Sequence, residues 1–245
     1  DHVVGDEEAF RACVRQAVTV ARTGRVVTLG ITPTFPSTGF GYIHRGDPLG
    51  VPGAPDAYAV SEFVEKPDEA TAHRYVESGE YRWNAGMFVV QARVLLDLLH
   101  DWHPELADGL RVIAEEPGRL NEIWPTLTAI AIDHAIAEPA AAAGSVAVVV
   151  ADFPWDDVGD FHALADLVPG VSDSGPKVLG DVSKVLTRDA SGLVVTGNRV
   201  IAVVGLADVV VVDTPDALLI TTRERAQDVK SLVDELKQTG RAELT

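Results

Sequence analysis

The sequence predicts an α/β domain followed by a small all-β module. Up to about residue 170, apolar strand-like runs alternate with segments whose apolar residues recur at helical spacing. Beyond that point, short β-rich runs follow one another between Gly- and Pro-containing turns, and a single helical segment closes the chain. We therefore place a first domain at residues 1–169 and a second module at residues 178–245.

The composition restricts the compartment and the class of partner. The chain has 245 residues, 47% of them hydrophobic, which is ample for a buried core. Its formal net charge of −17 argues against binding of nucleic acid or of an anionic membrane surface, which need basic patches. No apolar run approaches the ~18 residues of a membrane span. The single Cys13 excludes an internal disulfide and favours a reducing cytoplasm.

The first domain opens with a helix and a buried strand. Residues 7–22 carry apolar side chains at helical spacing, and Gly24 follows as a helix-ending glycine. Residues 26–31 then read as a buried strand, and another strand starts at Gly41. The chain continues with a strand near residues 59–65, a helix at 69–77 capped by Asp68, a strand at 86–91, a helix starting at 93–99, and a strand at 145–150 buried on both faces.

The second module consists of four short strands and a terminal helix. The strands are predicted at residues 193–196, 200–204, 209–213 and 217–221, and the helix at 223–237. Residues 169–177 (PGVSDSGPK) have the composition of a linker between the two regions.

Glu65 and Lys66 form the first candidate site. They end an apolar strand and are followed by Pro67. Charges are common where a strand meets solvent, so these two residues could simply be solvated. However, ligands in open α/β sheets sit beyond the carboxyl ends of strands. There, an acid could accept sugar hydroxyls and a cation could bind a phosphate.

Two glycine-containing segments are weaker candidates. In WNAGMF, Asn84 offers a donor and an acceptor just before the predicted strand, and Gly86 permits close backbone approach. In TGFGYI, Gly39 and Gly41 alternate with aromatic residues. The first segment could equally be a turn, and the second a kinked strand.

An acidic cluster lies between the strand at residues 145–150 and a helix at 161–167. Asp156, Asp157 and Asp160 either face water, cap the helix, or hold a hard divalent cation such as Mg²⁺. We expect Asp160 to be the cap, which leaves one of the other two as a metal ligand. His100 and His103 are too few for a zinc site and are expected at a solvated helix end.

Together these motifs resemble one family, the bacterial mannose-1-phosphate guanylyltransferases among the sugar-nucleotide pyrophosphorylases. The resemblance runs nearly from end to end. It rests on Asp1-His2, TLGITPTFPSTGFGYI, FVEKP, WNAGMF, AIDHAIAE, WDDVGD and VVVVDTPDALLI, in this order. It implies part of a Rossmann-like nucleotidyltransferase sheet followed by a left-handed β-helix, a module that often mediates dimerisation.

The resemblance also implies roles for individual residues. Lys66 would bind the phosphate of mannose 1-phosphate, and Glu65 the sugar hydroxyls. Asn84 and the backbone of Gly41 would line the same pocket. The remaining roles concern the catalytic Mg²⁺, whose implied ligands are Asp1 and Asp157, with Asp133 as a weaker candidate.

The implied reaction joins GTP and mannose 1-phosphate to give GDP-mannose and pyrophosphate in a cytoplasmic homodimer. The family's Gly-rich nucleotide-binding signature is expected upstream of Asp1, and we expect residues 1–245 alone to lack GTP binding. Three alternatives remain open. They are a non-catalytic sugar-phosphate-binding or oligomerisation subunit, a Mg²⁺-dependent phosphohydrolase, and a pyrophosphorylase for glucose 1-phosphate with another nucleoside triphosphate.

Overall fold

A computed structural model describes residues 1–170 and 175–241. The chain divides into two compact units. One comprises residues 4–155, and the other comprises residues 1–3 together with those from 156 onward. The domain boundaries predicted at residues 169 and 178 stay a prediction, and residues 171–174 of the predicted linker lie outside the described residues.

A five-stranded mixed sheet forms the centre of the first unit. A short strand β1 (His2–Val4) precedes β2 (Val26–Ile31), β3 (Tyr42–Pro48), β4 (Ala57–Val64), β5 (Tyr81–Val89) and β6 (Val146–Ala151). The sheet closes on itself in the order β2-β5-β3-β4-β6, with β6 again paired to β2. The β2–β6 pair is parallel and the other pairs are antiparallel. All six residues of β2 are buried, as the apolar run predicts.

Helices cover the sheet through two hydrophobic clusters. They are α1 (Glu7–Ala21), α2 (Glu69–Ser78), α3 (Ala92–Trp102), α4 (Pro104–Glu115), α5 (Leu120–Ile123) and α6 (Glu138–Ala142), with 3₁₀ turns at Pro117–Arg119 and Trp124–Thr126 and a π-helix at Asp133–Ala137. One cluster includes Val20 of α1 and Ala72 of α2. The other includes Leu99 of α3 and Ile136 of the π-helix. This arrangement confirms the predicted α/β class.

The first helix shows how local sequence sets its ends. The carboxylate of Asp6 accepts hydrogen bonds from the backbone N–H groups of Glu8 and Ala9, both at 3.0 Å, and so caps α1. At the other end Gly24 has φ 89° and donates to the carbonyl of Ala21. This left-handed conformation is the reason for glycine at that position.

Two sequence predictions for the first unit need correction. The strand predicted at residues 86–91 is β5, which begins at Tyr81, so Asn84 lies inside a strand rather than in a turn before it. No elements were predicted between residues 104 and 142, where α4 to α6 and the π-helix lie. Several of these elements are only four or five residues long, too short to show a clear period.

The second unit contains parallel strands stacked in two sheets. Its elements are α7 (Phe161–Leu167), β8 (Lys177–Leu179), β9 (Val185–Arg188), β10 (Gly192–Val195), β11 (Ile201–Val204), β12 (Val209–Asp213), β13 (Leu218–Thr222) and α8 (Val229–Gln238), and β7 (Trp155–Asp157) comes before them and pairs with β1. Strands β8, β10 and β12 pair in parallel, as do β9 and β11. Because successive strands alternate between the two sheets, the chain winds as a β-helix, and the antiparallel β13 ends the stack.

The sequence prediction for this unit missed three features. Strands β8 and β9 were not expected, because KVL and VLTR are short and carry charged residues at their ends. The terminal helix predicted at residues 223–237 is divided into a 3₁₀ helix at Arg223–Asp228 and α8.

In the described part of the chain, no helix is long and apolar enough to cross a membrane.

Candidate functional site

Glu65 and Lys66 face each other immediately after β4. The Lys66 Nζ atom lies 3.3 Å from Glu65 Oε1. Lys66 has φ 48°, in the left-handed region that side chains with a Cβ seldom adopt. In a continuing strand, neighbouring side chains would point to opposite faces. The turn at Lys66 therefore ends the strand and lets a partly buried acid meet an exposed base. Such unusual conformations cluster at functional sites.

Gly41 makes room for the Glu65 carboxylate. A Cβ atom added at Gly41 would collide with Glu65 Oε2 and would also touch the Asn84 side chain. The carbonyl of Gly41 accepts a hydrogen bond of 2.8 Å from the Asn84 backbone N–H. Because Gly41 has no side chain, the Glu65 carboxylate can pack against its backbone.

Asn84 is held inside β5 by three hydrogen bonds. Its Oδ1 atom accepts from the Thr28 hydroxyl at 2.7 Å and from the Gly86 backbone N–H at 3.2 Å. Its Nδ2 atom donates to Asp133 Oδ1 at 3.1 Å. Gly86 has φ 68° where the β2–β5 register shifts, and this bulge turns its N–H toward Asn84. Asn84 is only 7% exposed, so this network fixes its amide.

The π-helix brings two further charged groups to this site. Burial raises the pKa of the Glu65 carboxyl, and the negative charge of Asp133 raises it further, whereas Lys66 and His134 lower it. His134 is itself paired with Glu138, whose carboxylate lies 3.0 Å from His134 Nδ1 and raises the pKa of the imidazole. The site therefore contains the carboxyl groups of Glu65 and Asp133, the Asn84 amide, the Lys66 ammonium and the His134 imidazole.

Sequence reasoning missed Thr28 and His134. Thr28 is the single polar side chain in the buried run VVTLGI, and a polar residue in such a run needs a partner. That pattern is a usable signal for Thr28. His134 adjoins Asp133, but nothing in the sequence links either residue to Glu65.

Asp1 directly precedes β1, and Asp157 ends the neighbouring strand β7. The carbonyl of Asp1 accepts a hydrogen bond of 2.6 Å from the Val158 backbone N–H. His2 Nε2 is 3.8 Å from Asp157 Oδ1. Asp160 caps α7 by accepting from the Ala163 backbone N–H at 2.9 Å, which confirms the role expected of it.

The acids around residue 157 repel one another. Burial and then the charges of Asp166, Asp157 and Asp160 raise the pKa of Asp156. A divalent cation near this cluster would relieve the repulsion. Among residues 1–170 and 175–241, however, no group of three or more His, Cys, Asp or Glu side chains is arranged to hold a metal. Two carboxylates still suit Mg²⁺, which takes one or two of them and completes its shell with water and substrate phosphates.

Comparison with known proteins decides the family. Residues 1–174 match the model of the nucleotidyl transferase family. The chain belongs to this family. Residues 183–236 match a model described as a mannose-phosphate isomerase/GMP-like β-helix domain, in agreement with the stacked strands of the second unit.

Individual curated proteins similar to this chain include enzymes of one kind within the family. The chain is 42% identical over 253 residues to the xanthan biosynthesis protein XanB of Xanthomonas campestris pv. campestris (strain B100), covering all of this chain and 51% of that protein. It is 40% identical over 256 residues to a mannose-1-phosphate guanylyltransferase of Escherichia coli K12, covering 99% of this chain and 51% of that protein. The chain thus spans about half the length of the curated relatives it matches.

Solved structures of similar proteins agree with the fold. A crystal structure from Thermus thermophilus, titled mannose-1-phosphate geranyltransferase, matches 97% of this chain and 68% of its own, with 33% identity and a TM-score of 0.79. A mannose-6-phosphate isomerase from Helicobacter pylori matches 64% of this chain and 61% of its own, with 27% identity and a TM-score of 0.53. Together with the family models, these matches confirm the predicted nucleotidyltransferase fold followed by a β-helix-like module.

Proposed function

We propose that this chain carries the sugar-phosphate half of a mannose-1-phosphate guanylyltransferase, which forms GDP-mannose and pyrophosphate from GTP and mannose 1-phosphate. The observation that carries the proposal is the convergence of Gly41, Glu65, Lys66 and Asn84 in one place. Membership of the nucleotidyl transferase family and similarity to the Escherichia coli mannose-1-phosphate guanylyltransferase give further support.

Each of these residues has chemistry that suits a sugar phosphate. The Lys66 side chain is 58% exposed and offers an ammonium to the phosphate. The Glu65 carboxylate, 14% exposed, accepts hydrogen bonds from sugar hydroxyls, and the Asn84 amide donates one. Lys66 positions the attacking phosphate group, while Glu65 and Asn84 bind the sugar hydroxyls. None of these residues is assigned to the guanine base.

In the reaction, a phosphate oxygen of mannose 1-phosphate attacks the α-phosphorus of GTP in line. A new oxygen–phosphorus bond forms, the bond to the β-phosphate oxygen breaks, and pyrophosphate leaves with that electron pair. No covalent enzyme intermediate is needed, so positioning and charge neutralisation account for the catalysis.

Asp1 and Asp157 would hold the Mg²⁺ of this enzyme, because the adjoining strands β1 and β7 pair. When bound, the ion neutralises charge on the reacting phosphates. The carboxylates of the chain fix where that positive charge is placed.

The proposal extends to assembly and compartment. The β-helix-like module supports a homodimer, through the resemblance to a family in which this module often mediates dimerisation. A single cysteine supports a cytoplasmic enzyme. Light scattering of the purified protein tests the first point, since a mass of one chain would contradict it.

Product analysis of the full-length gene product tests the function. With Mg²⁺, GTP and mannose 1-phosphate, the proposal requires equal amounts of GDP-mannose and pyrophosphate. Faster turnover of glucose 1-phosphate with another nucleoside triphosphate would overturn the assigned substrates. Release of inorganic phosphate without GTP would indicate a phosphohydrolase. Binding of mannose 1-phosphate without any product would indicate a non-catalytic subunit.

A further inference from the structure

The π-helix places Asp133 next to the proposed sugar pocket. Its carbonyl accepts from the backbone N–H of Glu138, five residues later, which widens this turn relative to an α-helix. Ala135, Ile136 and Ala137 are buried and anchor the turn in the hydrophobic cluster shared with α3 and α4. Asp133 is thus held by packing that is independent of its own side chain.

The hydrogen bonds around Asn84 leave one orientation for its amide. The backbone N–H of Gly86 can only donate, so the atom it contacts at 3.2 Å is the amide oxygen. The Thr28 hydroxyl donates to the same oxygen. The amide nitrogen must then face Asp133, which accepts one of its two hydrogens. Within the described residues, the second Nδ2 hydrogen is the polar position of this side chain left for a ligand.

The Asp133 carboxylate also stands near Glu65, and two carboxylates this close repel each other. Taken alone, this repulsion would favour a neutral side chain at position 133. A fixed hydrogen bond to Asn84 gives a reason for tolerating the repulsion.

We propose that Asp133 is a positioning residue for the sugar-phosphate site, which holds the Asn84 amide so that its free N–H points at the bound sugar. This inference rests on the proposed function. It gives Asp133 a role in substrate binding rather than in binding Mg²⁺. The residue acts through Asn84 and need not touch the substrate.

Two substitutions at residue 133 separate positioning from other roles. Asp133→Ala removes the acceptor, so the dissociation constant of mannose 1-phosphate should rise about tenfold. Asp133→Asn keeps an oxygen that can accept from Asn84, so affinity should return to within about threefold of the wild type. Calorimetric titration of the full-length protein measures the dissociation constants of both variants. The Michaelis constant for GTP, taken from steady-state rates, should stay unchanged.

A matched control is Asp108→Ala, which removes an exposed carboxylate from α4. It should leave the dissociation constant of mannose 1-phosphate and the Michaelis constant for GTP unchanged. Equal affinity in Asp133→Ala and wild type would overturn the inference while the proposed function stands. So would an Asp133→Asn protein that melts like the wild type yet binds as weakly as Asp133→Ala. Failure of the wild type to bind mannose 1-phosphate would overturn the proposed function, and the inference with it.

Discussion

At the scale of single residues, Glu65 combines burial, a neighbouring carboxylate and a neighbouring lysine. Its side chain is 14% exposed, and its pKa is raised chiefly by burial. The folded protein therefore holds the Glu65 proton more tightly than the unfolded chain. Stability attributable to this group is lost as the pH rises above the ordinary glutamate value of 4.5, so Glu65 contributes less to the stability of the fold at neutral pH than in acid.

Glu65→Gln should consequently raise the melting temperature at pH 7 and have less effect near pH 4. The same change should weaken binding of mannose 1-phosphate, because a neutral amide is a poorer acceptor for sugar hydroxyls. Thermal melts at the two pH values measure the first effect. Glu115→Gln, at the exposed end of α4, is the control and should show no such pH-dependent gain. A lower melting temperature for Glu65→Gln at pH 7 would contradict the account.

Gly41→Ala should impair the sugar site more than the fold. The added methyl group displaces the Glu65 carboxylate from its packed position, so affinity for mannose 1-phosphate should fall about tenfold or more. Gly118→Ala adds the same methyl group where no heavy atom outside the adjoining backbone and its chain neighbours lies within 4 Å, and should leave affinity unchanged. If both variants bound mannose 1-phosphate equally well, the packing of Glu65 against Gly41 would have no role in recognition.

Sequence reasoning found Glu65 and Lys66 because a charged pair at a strand end is visible locally. Local patterns do not link Asn84 to its own hydrogen-bond partners. Thr28 and Asp133 lie 56 and 49 residues from Asn84 in the chain, and only the folded sheet and the π-helix bring them to the same amide. Spacing in sequence carries no record of such contacts.

At the scale of elements, β1 pairs with β7, and the carbonyl of Asp1 bonds to Val158, the residue after Asp157. Asp1 and Asp157 are the Mg²⁺ ligands that we propose. Asp157→Asn should reduce turnover more than about a hundredfold, because an amide is a weak ligand for a hard cation. Asp156→Asn is the matched control and should have a much milder effect. Steady-state rates at saturating Mg²⁺ measure both. The reverse order of effects would assign the metal ligand to Asp156 instead.

Element boundaries were predictable where one period dominates. The helix at residues 7–22 and the strand at 26–31 match α1 and β2 closely, since each has a clean apolar pattern. Strand β5 was placed too late because Tyr81-Arg82-Trp83-Asn84 mixes charged, aromatic and polar residues. Pairing with β2 and β3, which the sequence does not show, keeps that segment extended.

At the scale of the whole molecule, two sequence patterns correspond to two compact units. The change from helix–strand alternation to short strands near residue 170 reflects the change from a mixed sheet to parallel stacked strands. The division by contacts instead joins residues 1–3 to the second unit, because β1 pairs with β7 and the Asp1 carbonyl bonds to Val158. Long-range pairing of this kind leaves no mark in local patterns.

Our central proposal is that Lys66 binds the sugar phosphate and not the nucleotide. The measurement that tests this most directly is the pair of Michaelis constants of Lys66→Ala in the full-length gene product. Loss of the ammonium removes a charge-assisted contact of about 1.5–3 kcal/mol, so the constant for mannose 1-phosphate should rise about ten- to a hundredfold. The constant for GTP should stay within about twofold. Equal increases for both substrates would contradict the account.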